Sequence, residues 1–299
     1  MTSTQISPPQ AKLWMAAIKP PMYSVAIMPI WVGSAVAFRE IKIFNPIIFS
    51  LFIAAAILIL AWENISNDVF DAETGIDQNK HHSLVNLTGN KTLMFWIGNL
   101  CLGLGLLGII AIAILQKDST VMAIILLCCG LGYMYQGPPF RLGYQGLGEI
   151  LCFFAFGPLG MSAAYYSQTQ TWSMTNLAAS VILGIVTSLV LFCSHFHQVV
   201  DDIAAGKKSP IVRLGTHTGA KVLVGFTASI YPLILLFVIL NIFPLWTLLS
   251  FLSLPFAVKL CRHVLENHNQ PDKVSNSKFV AIRVQFVSCL FLGLGFILG

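Results

Sequence analysis

Long apolar runs separated by short polar segments dominate the chain. A membrane-spanning helix needs about 17 to 25 consecutive apolar residues, and nine runs fall within this range. They occupy residues 22–38, 46–66, 93–115, 119–136, 149–166, 177–197, 220–242, 245–261 and 279–298. The pattern predicts an all-α, multispanning membrane protein with about nine transmembrane helices. Pro158, Pro232 and Pro255 lie inside three of these runs, where proline bends a helix.

The composition supports a membrane protein and argues against other classes. Of the 299 residues, 56% are hydrophobic and only 10% are charged, against about 25% charged in soluble domains. The net charge of +5 could suggest a nucleic-acid partner, but the basic residues lie in loops without interleaved aromatic residues. The seven cysteines form no CxxC pair and read as small apolar core residues. We expect one domain over residues 1–299, with a polar segment at 1–15 and no removable signal peptide.

The basic residues divide unequally between the two sides of the predicted membrane. Three of them, Arg39, Lys42 and Lys117, fall in the loops of one side. The other fourteen fall on the opposite side: Lys12, Lys19, Lys80, Lys91, Arg141, Lys207, Lys208, Arg213, Lys221, Lys259, Arg262, Lys273, Lys278 and Arg283. Cytoplasmic loops carry the excess of Lys and Arg. The N-terminus is therefore predicted to be cytoplasmic, and with nine helices the C-terminus lies on the far side.

A first polar cluster, NISNDVFDAETGID, follows the second apolar run. Asn64, Asp68 and Asp71 are spaced i, i+4 and i+7, so on a continuing helix they share one face, with Asn67 adjoining it. Asp77 lies beyond the predicted end of this helix. Clustered oxygen ligands suit a hard cation such as Mg²⁺. Since carboxylates repel phosphates, the metal would also bridge the protein to a phosphorylated substrate.

A second polar cluster, HFHQVVDDIAAGKKSPIVRLG, ends the sixth apolar run. His195, Gln198 and Asp202 are spaced i, i+3 and i+7, which predicts one helical face, with Asp201 one step round. Charges within a bilayer are costly, about 2.5 to 3.5 kcal/mol each at its centre on insertion scales. Two such clusters therefore line a wet cavity or bind cations, and we expect them to face each other.

Several other charged residues lie on the same side as these clusters. Lys207 and Lys208 come directly after the second cluster, and Arg141 lies in the loop YQGPPFRLGYQGLGE, where it can reach an anion. Lys19 precedes the first helix. Two roles are possible for it there: an anchor at the membrane interface, or a contact with the substrate. Glu63 also has two possible roles: it either supports the site or is an ordinary acidic residue at a helix end.

Four segments of the sequence together resemble the UbiA superfamily of intramembrane aromatic prenyltransferases. They are KPPMYSVAIMPIWVGSAVA, NDVFDAETGID, YQGPPFRLGYQGLGE and DDIAAGKKSPIVRLG. The wide spacing between Asp71 and Asp77, the last two Asp residues of the first cluster, resembles the spacing in the branch that acts on 1,4-dihydroxy-2-naphthoate. The second cluster is similar to the phytyl-transferring members of cyanobacteria and plants. The resemblance implies helices around a central cavity.

The resemblance also implies a set of site residues and a reaction. Metal ligands would be Asn67, Asp68, Asp71, Asp77, Gln198, Asp201 and Asp202, with Asp68, Asp71 and Asp202 acting in catalysis. Substrate contacts would come from Lys19, Asn64, Lys80, Tyr135, Arg141, His195, Lys207 and Lys208. Mg²⁺ would neutralise a departing diphosphate, and the aromatic acceptor would attack the allylic cation with loss of CO₂. The family's second motif usually has Asp where Gln198 stands, so Asp201 or the Gln198 carbonyl would complete that ligand set.

Two alternative functions stay open at this point. Another aromatic acceptor, such as homogentisate or a chlorophyll precursor, would suit the same superfamily. Intramembrane carboxylates also mark ion pathways, so a divalent-cation or proton-coupled transporter is a second possibility. A CDP-alcohol phosphotransferase is disfavoured because its DGxxAR motif is absent. The expected partners are a prenyl diphosphate, 1,4-dihydroxy-2-naphthoate and the lipid of a plasma, inner or thylakoid membrane.

Overall fold

The computed structural model describes residues 10–76 and 83–299. Within these two ranges the chain forms helices and no strand. In order, the α-helices are α1 (Gln10–Ile18), α2 (Ser24–Ile41), α3 (Pro46–Thr74), α4 (Leu84–Thr88), α5 (Lys91–Gln116), α6 (Thr120–Gln136), α7 (Gly148–Phe154), α8 (Gly160–Thr169), α9 (Met174–Ser194), α10 (Val199–Ala204), α11 (Pro210–Leu214), α12 (Thr216–Ile239), α13 (Leu254–Asn267), α14 (Pro271–Val274) and α15 (Ser277–Leu298).

The described helices account for the predicted spans. Eight helical stretches are long and apolar enough to cross a membrane, and α6 is apolar but shorter at 17 residues. The eight stretches are Ala11–Ile41, Pro46–Thr74, Lys91–Gln116, Gly148–Thr169, Met174–His197, Thr216–Ile239, Leu245–Asn267 and Pro271–Leu298. The prediction of an all-α, multispanning membrane protein is confirmed, and the predicted count of about nine is close.

The prolines inside the apolar runs have different local effects. Pro158 lies in a π-helical segment, Ala155–Leu159, that joins α7 to α8, as expected where proline removes a backbone donor. Pro255 opens α13, directly after a 3₁₀ segment at Leu245–Ser253. Pro232 stays inside α12. Only the first two therefore coincide with a change of helix type.

Helix α3 is longer than the apolar run that predicted it. It continues past residue 66 to Thr74, and Gly75 ends it in the left-handed conformation at φ 75°. Glycine commonly ends helices in this way because it has no Cβ to clash. The extension places residues 64–74 of the first polar cluster on about the last three turns of α3.

The helices pack into two large hydrophobic groups, besides a small one between α3 and α5. One is centred on α9, where Ile182, Leu183 and Cys193 are fully buried against neighbouring helices such as α2 and α15. The other is formed by α3, α5, α6 and α8, with Ile109 and Ile112 of α5 at its centre. Helices α2 and α8 contribute to both groups. A cavity opens between the two.

Close backbone approach at Gly295 leads to a stability prediction. A Cβ added at Gly295 of α15 would lie 2.5 Å from the Cα and 2.6 Å from the backbone nitrogen of Thr247. Because backbone atoms cannot rotate away, Gly295→Ala should cost about 1–3 kcal/mol by overpacking. Thermal unfolding in detergent should show a melting temperature several degrees below wild type. Gly103→Ala on α5 is the control, since nothing lies within 4 Å of its added Cβ; equal melting temperatures for the two variants would contradict the prediction.

Candidate active site

A cavity with about 810 Å³ of empty space, its open mouth included, lies between the two packing groups. Its walls come from helices at both ends of the sequence and are mostly apolar. The polar residues among its lining are Glu63, Asn64, Asn67, Tyr135, Thr187, Ser194 and Lys278. Both polar clusters of the sequence lie at the ends of helices that form these walls, α3 and α9.

The end of α3 carries two buried carboxylates. Asp68 is 1% exposed, and its Oδ2 accepts a hydrogen bond of 2.8 Å from the backbone nitrogen of Leu84. The ammonium of Lys19 lies 3.9 Å from its Oδ1. Lys19 precedes α2 in the left-handed conformation, at φ 52°. The structure therefore directs Lys19 towards the first cluster.

Asp71 lies one turn further along α3 and is also buried. Its Oδ1 accepts hydrogen bonds from Gln136 Nε2 and from the hydroxyl of Tyr144, the latter at 3.2 Å. The Tyr144 hydroxyl also contacts that of Thr74. Gln136 ends α6, so three separate segments converge on this carboxylate.

The second cluster does not form the continuous helix that its spacing predicted. Helix α9 ends at Ser194, a three-residue 3₁₀ turn follows at His195–His197, and α10 begins at Val199. The prediction of one helical face was therefore wrong. The physical reason is a break at Gln198, whose φ of −105° and ψ of 7° are not helical.

His195 and Asp202 nevertheless meet across this break. Asp202 is fully buried, and its Oδ2 lies 3.5 Å from His195 Nδ1. The Nζ of Lys207, itself only 6% exposed, lies 3.6 Å from Asp202 Oδ1. The other ring nitrogen of His195, Nε2, lies 3.2 Å from Glu149 Oε1 on α7. Four ionisable groups thus form a connected, largely buried chain.

Tyr144 connects the two clusters. While its hydroxyl reaches Asp71, the ammonium of Lys207 lies 5.5 Å from the centre of its ring, within the range of a cation–π contact. Its backbone carbonyl accepts a 2.7 Å hydrogen bond from the backbone nitrogen of Lys208. Burial raises the pKa of the Tyr144 hydroxyl, and the negative charge of Asp71 raises this pKa further. The hydroxyl therefore remains a proton donor at neutral pH.

Asp202 remains ionised despite its burial. Burial by itself raises the pKa of a carboxyl group. At Asp202 the proximity of His195 and the positive charge of Lys207 outweigh this effect, so its pKa lies below the ordinary value. Neither of its oxygens accepts a hydrogen bond within the described chain. A fully buried carboxylate in this state is suited to a cation as an additional partner.

The donor set fits a hard divalent metal. Its oxygens come from Asp68 and Asp71 on one helix and from Asp202 on another, and oxygen ligands without thiolates suit Mg²⁺. In the described ranges no three His, Cys, Asp or Glu side chains already form a closed metal site. Magnesium usually keeps several waters and binds through one or two carboxylates together with substrate phosphates. Carboxylates that come from separate helices, rather than from one closed cluster, are consistent with that mode.

The remaining predicted site residues vary in their positions. Tyr135, Asn64 and Asn67 line the cavity. Arg141 pairs with Glu73 at 3.2 Å, with both side chains about one-third exposed.

Other predicted residues lie further from the cavity lining or outside the described ranges. Lys208 is exposed, whereas Gln198 and Asp201 are partly buried. Asp77 and Lys80 lie outside the described residues, so their predicted roles remain predictions.

Four residues near the site were missed by sequence reasoning. Gln136 and Tyr144 contact Asp71, Glu149 contacts His195, and Lys278 lines the cavity. The loop YQGPPFRLGYQGLGE was noted for Arg141, yet Tyr144 and Glu149 of the same loop are nearer the buried carboxylates. Glu is common in the first turn of a helix because its negative charge interacts favourably with the helix dipole. The position of Glu149 in the sequence therefore did not indicate a functional role.

The class of protein is an intramembrane enzyme, with an all-helical membrane fold and buried carboxylates at or just after the ends of helices that line an internal cavity. The chain belongs to the UbiA prenyltransferase family, whose sequence model matches residues 26–290. It is 52% identical, over 97% of its length and 94% of the relative's, to 2-carboxy-1,4-naphthoquinone phytyltransferase of Synechocystis sp.. It is 41% identical to the chloroplastic 2-carboxy-1,4-naphthoquinone phytyltransferase of Arabidopsis thaliana, covering 97% of this chain and 78% of that one.

A solved structure supports the same fold. A UbiA homolog from Archaeoglobus fulgidus bound to GPP and Mg²⁺ superposes with a TM-score of 0.61 at 16% identity, covering 96% of this chain and all of the other. The expected fold of helices around a central cavity is confirmed.

Proposed function

We propose that this protein transfers a phytyl or related polyprenyl group from its diphosphate to 1,4-dihydroxy-2-naphthoate, with release of diphosphate and CO₂. The observation that carries the proposal is the pair of acidic helix ends at one cavity. Its relatives at 52% and 41% identity are named for phytyl transfer to 2-carboxy-1,4-naphthoquinone. The dihydroxy form of that compound has the electron-rich ring that an allylic cation requires.

The diphosphate would bind at the polar end of the cavity. Asp68, Asp71 and Asp202, with Asn67, Asp77, Asp201 and Gln198 as further candidate ligands, would hold Mg²⁺, which supplies Lewis-acid neutralisation of the leaving group. Lys207 is anchored by Asp202 and by the Tyr144 ring. The ammonium of Lys19 lies beside Asp68. Both cations would contact the departing oxygens of the diphosphate.

The prenyl tail would extend into an adjoining cavity. This second cavity is lined by apolar residues of α2, α3 and α6, such as Ile30, Phe52 and Ile125, and it shares Leu60 and Phe156 with the first. An isoprenoid chain has no hydrogen-bonding group and gains free energy from apolar surroundings. We therefore assign the polar end to the diphosphate and the second cavity to the tail.

The site is proposed to face the cytoplasm. The fourteen basic residues of the predicted cytoplasmic side include Lys207, Arg141 and Lys19, which all lie at the site end of the helices. The three other basic residues follow or end α2 and α5 at the opposite end. The positive-inside rule then orients the site towards the cytoplasm.

The test is a transfer assay on the purified full-length protein in detergent. It would contain Mg²⁺, 1,4-dihydroxy-2-naphthoate and, in separate reactions, phytyl, geranylgeranyl and longer prenyl diphosphates, with products detected by mass. A prenylated, decarboxylated product that disappears with EDTA is expected. Homogentisate and chlorophyllide serve as competing acceptors. Transfer to one of them and none to dihydroxynaphthoate would contradict the proposal.

The Tyr144 hydroxyl provides a more specific prediction. Tyr144→Phe removes the donor to Asp71 but keeps the ring beside Lys207, so transfer should fall about 10-fold, which corresponds to about 1.4 kcal/mol. Steady-state kinetics with phytyl diphosphate would measure the loss. Tyr133→Phe is the control, because the Tyr133 hydroxyl is bonded only to the Pro138 carbonyl among the described hydrogen bonds. A larger loss at Tyr133 than at Tyr144 would contradict the prediction.

A further inference from the structure

Glu63 is a buried carboxyl group that the proposed diphosphate site does not use. It lies on α3 and lines both the main cavity and the adjoining apolar one. A Cβ placed on Gly132 of α6 would lie 3.7 Å from Glu63 Cδ and 3.8 Å from its Oε1. In the described part of the chain its oxygens accept no hydrogen bond and form no ion pair. The carboxyl group therefore faces the empty space where the two cavities join.

The position of Glu63 along α3 separates it from the diphosphate. It precedes Asp68 by five residues, which corresponds to about 7.5 Å along the helix axis. The acidic end of α3 is at Thr74. Glu63 therefore lies further from that end than Asp68 does, and deeper in the membrane. A group at this depth is near the carbon chain of a bound donor rather than its phosphates.

Two other polar groups in the cavity also lack partners. Asn64 Nδ2 and Thr187 Oγ1 are buried, and neither forms a hydrogen bond within the described residues. Thr187 lies on α9, two turns before its end at Ser194. Leaving buried polar atoms unpaired costs free energy, and an isoprenoid tail cannot satisfy them. The cavity is thus complementary to a second ligand with hydroxyl and carboxylate groups, as the aromatic acceptor has.

We propose that Glu63 is the general base for the acceptor, taking the proton of a ring hydroxyl during carbon–carbon bond formation and returning it during decarboxylation. This role rests on the proposed function, because it requires a hydroxylated, carboxylated aromatic acceptor. It adds to that function a catalytic residue outside both acidic motifs.

The proton transfer balances over the whole reaction. The ring carbon that carries the carboxylate bonds to the allylic carbon as the bond from that carbon to the diphosphate oxygen breaks. The electrons of the adjacent O–H bond form a ketone, and the proton moves to the Glu63 carboxylate. The carboxylate of the alkylated carbon then leaves as CO₂, its bonding electrons restore the aromatic ring, and the ketone oxygen recovers the proton from Glu63. No net proton is consumed.

The main test compares Glu63→Gln and Glu63→Asp with wild type between pH 5 and 9. The amide keeps the size of the side chain but cannot accept the proton, so kcat should fall about 100-fold or more, with the KM for phytyl diphosphate within twofold of wild type. The acidic limb of the wild-type pH profile should disappear in Glu63→Gln and remain in a slower Glu63→Asp. Glu266→Gln is the matched control, since Glu266 is exposed and pairs with Arg262 on α13.

Other ionisable groups near Glu63 would not account for loss of the acidic limb in the Glu63→Gln pH profile. Those that face it or share its cavity are Cys128, Cys129, Tyr135, Cys152 and Lys278. All of them remain in the Glu63 variants, so a pH limb that arises from any of them would persist. Loss of the acidic limb only when the carboxyl group is absent therefore assigns the limb to Glu63.

A second measurement separates proton transfer from stabilisation of the allylic cation. Diphosphate release in the absence of acceptor should be the same in wild type and Glu63→Gln. An equal loss of acceptor-free release and of transfer would overturn the proposal, as would wild-type kcat in Glu63→Gln. If the wild-type protein itself transfers nothing to dihydroxynaphthoate, the proposed function fails; an active wild type matched by Glu63→Gln disproves only the role of Glu63.

Discussion

Asp71→Asn is expected to reduce prenyl transfer about 1000-fold, which corresponds to about 4 kcal/mol of transition-state stabilisation. Asn has nearly the same shape, and its carbonyl can still accept the hydrogen bonds from Gln136 and Tyr144 that Asp71 receives. The fold around the end of α3 should therefore persist. The negative charge that is proposed to hold Mg²⁺, and through it the diphosphate, is lost.

The measurement is kcat/KM for phytyl diphosphate at saturating Mg²⁺, together with the melting temperature of each purified variant. Asp272→Asn is the matched control, because Asp272 is exposed on α14, on the same predicted side of the membrane. That variant should keep wild-type kinetics. Full activity in Asp71→Asn would rule out its assigned role, whereas a large fall in melting temperature would show that the loss is structural.

Asp202→Asn should impair both activity and stability. Asp202 is fully buried beside Lys207, which is 6% exposed. Removing one partner of a buried ion pair leaves the other charge uncompensated, at a cost of about 3–5 kcal/mol. We expect a clear fall in melting temperature and at least a 100-fold loss of transfer, since a carboxylate that is proposed to bind Mg²⁺ is also removed.

A double variant separates these two effects. In Asp202→Asn combined with Lys207→Met, no uncompensated ammonium remains, so the melting temperature should recover most of the loss. Transfer should not recover, because both the carboxylate and the cation are absent from the proposed diphosphate site. Recovery of transfer along with stability would mean that Asp202 acts only by supporting the fold.

The membrane architecture could be predicted because bilayer thickness fixes the length of an apolar helix. Each of the nine predicted runs corresponds to a described helical stretch, with differences at the ends. One such difference is at α3, which extends to Thr74 because polar residues continue a helix until a residue such as Gly75 ends it. Apolar length indicates the part of the helix in lipid, not the whole helix.

The second cluster shows where spacing alone is insufficient. A sequence interval predicts a shared face only if the helix is continuous, and here it breaks at Gln198. His195 and Asp202 approach each other across a 3₁₀ turn and the non-helical Gln198 that separate α9 from α10. The contact between them belongs to a geometry that the spacing did not predict.

By itself, the sequence determined the class of the protein and the two acidic motifs. Hydrophobic length, the distribution of basic residues between loops and clustered carboxylates can be recognised along the chain without knowing how its helices pack. Only the tertiary structure decided which distant residues complete the site: Tyr144 between Asp71 and Lys207, Glu149 beside His195, and Glu63 at the junction of two cavities. These contacts depend on how separate helices pack, which no periodicity within one segment encodes.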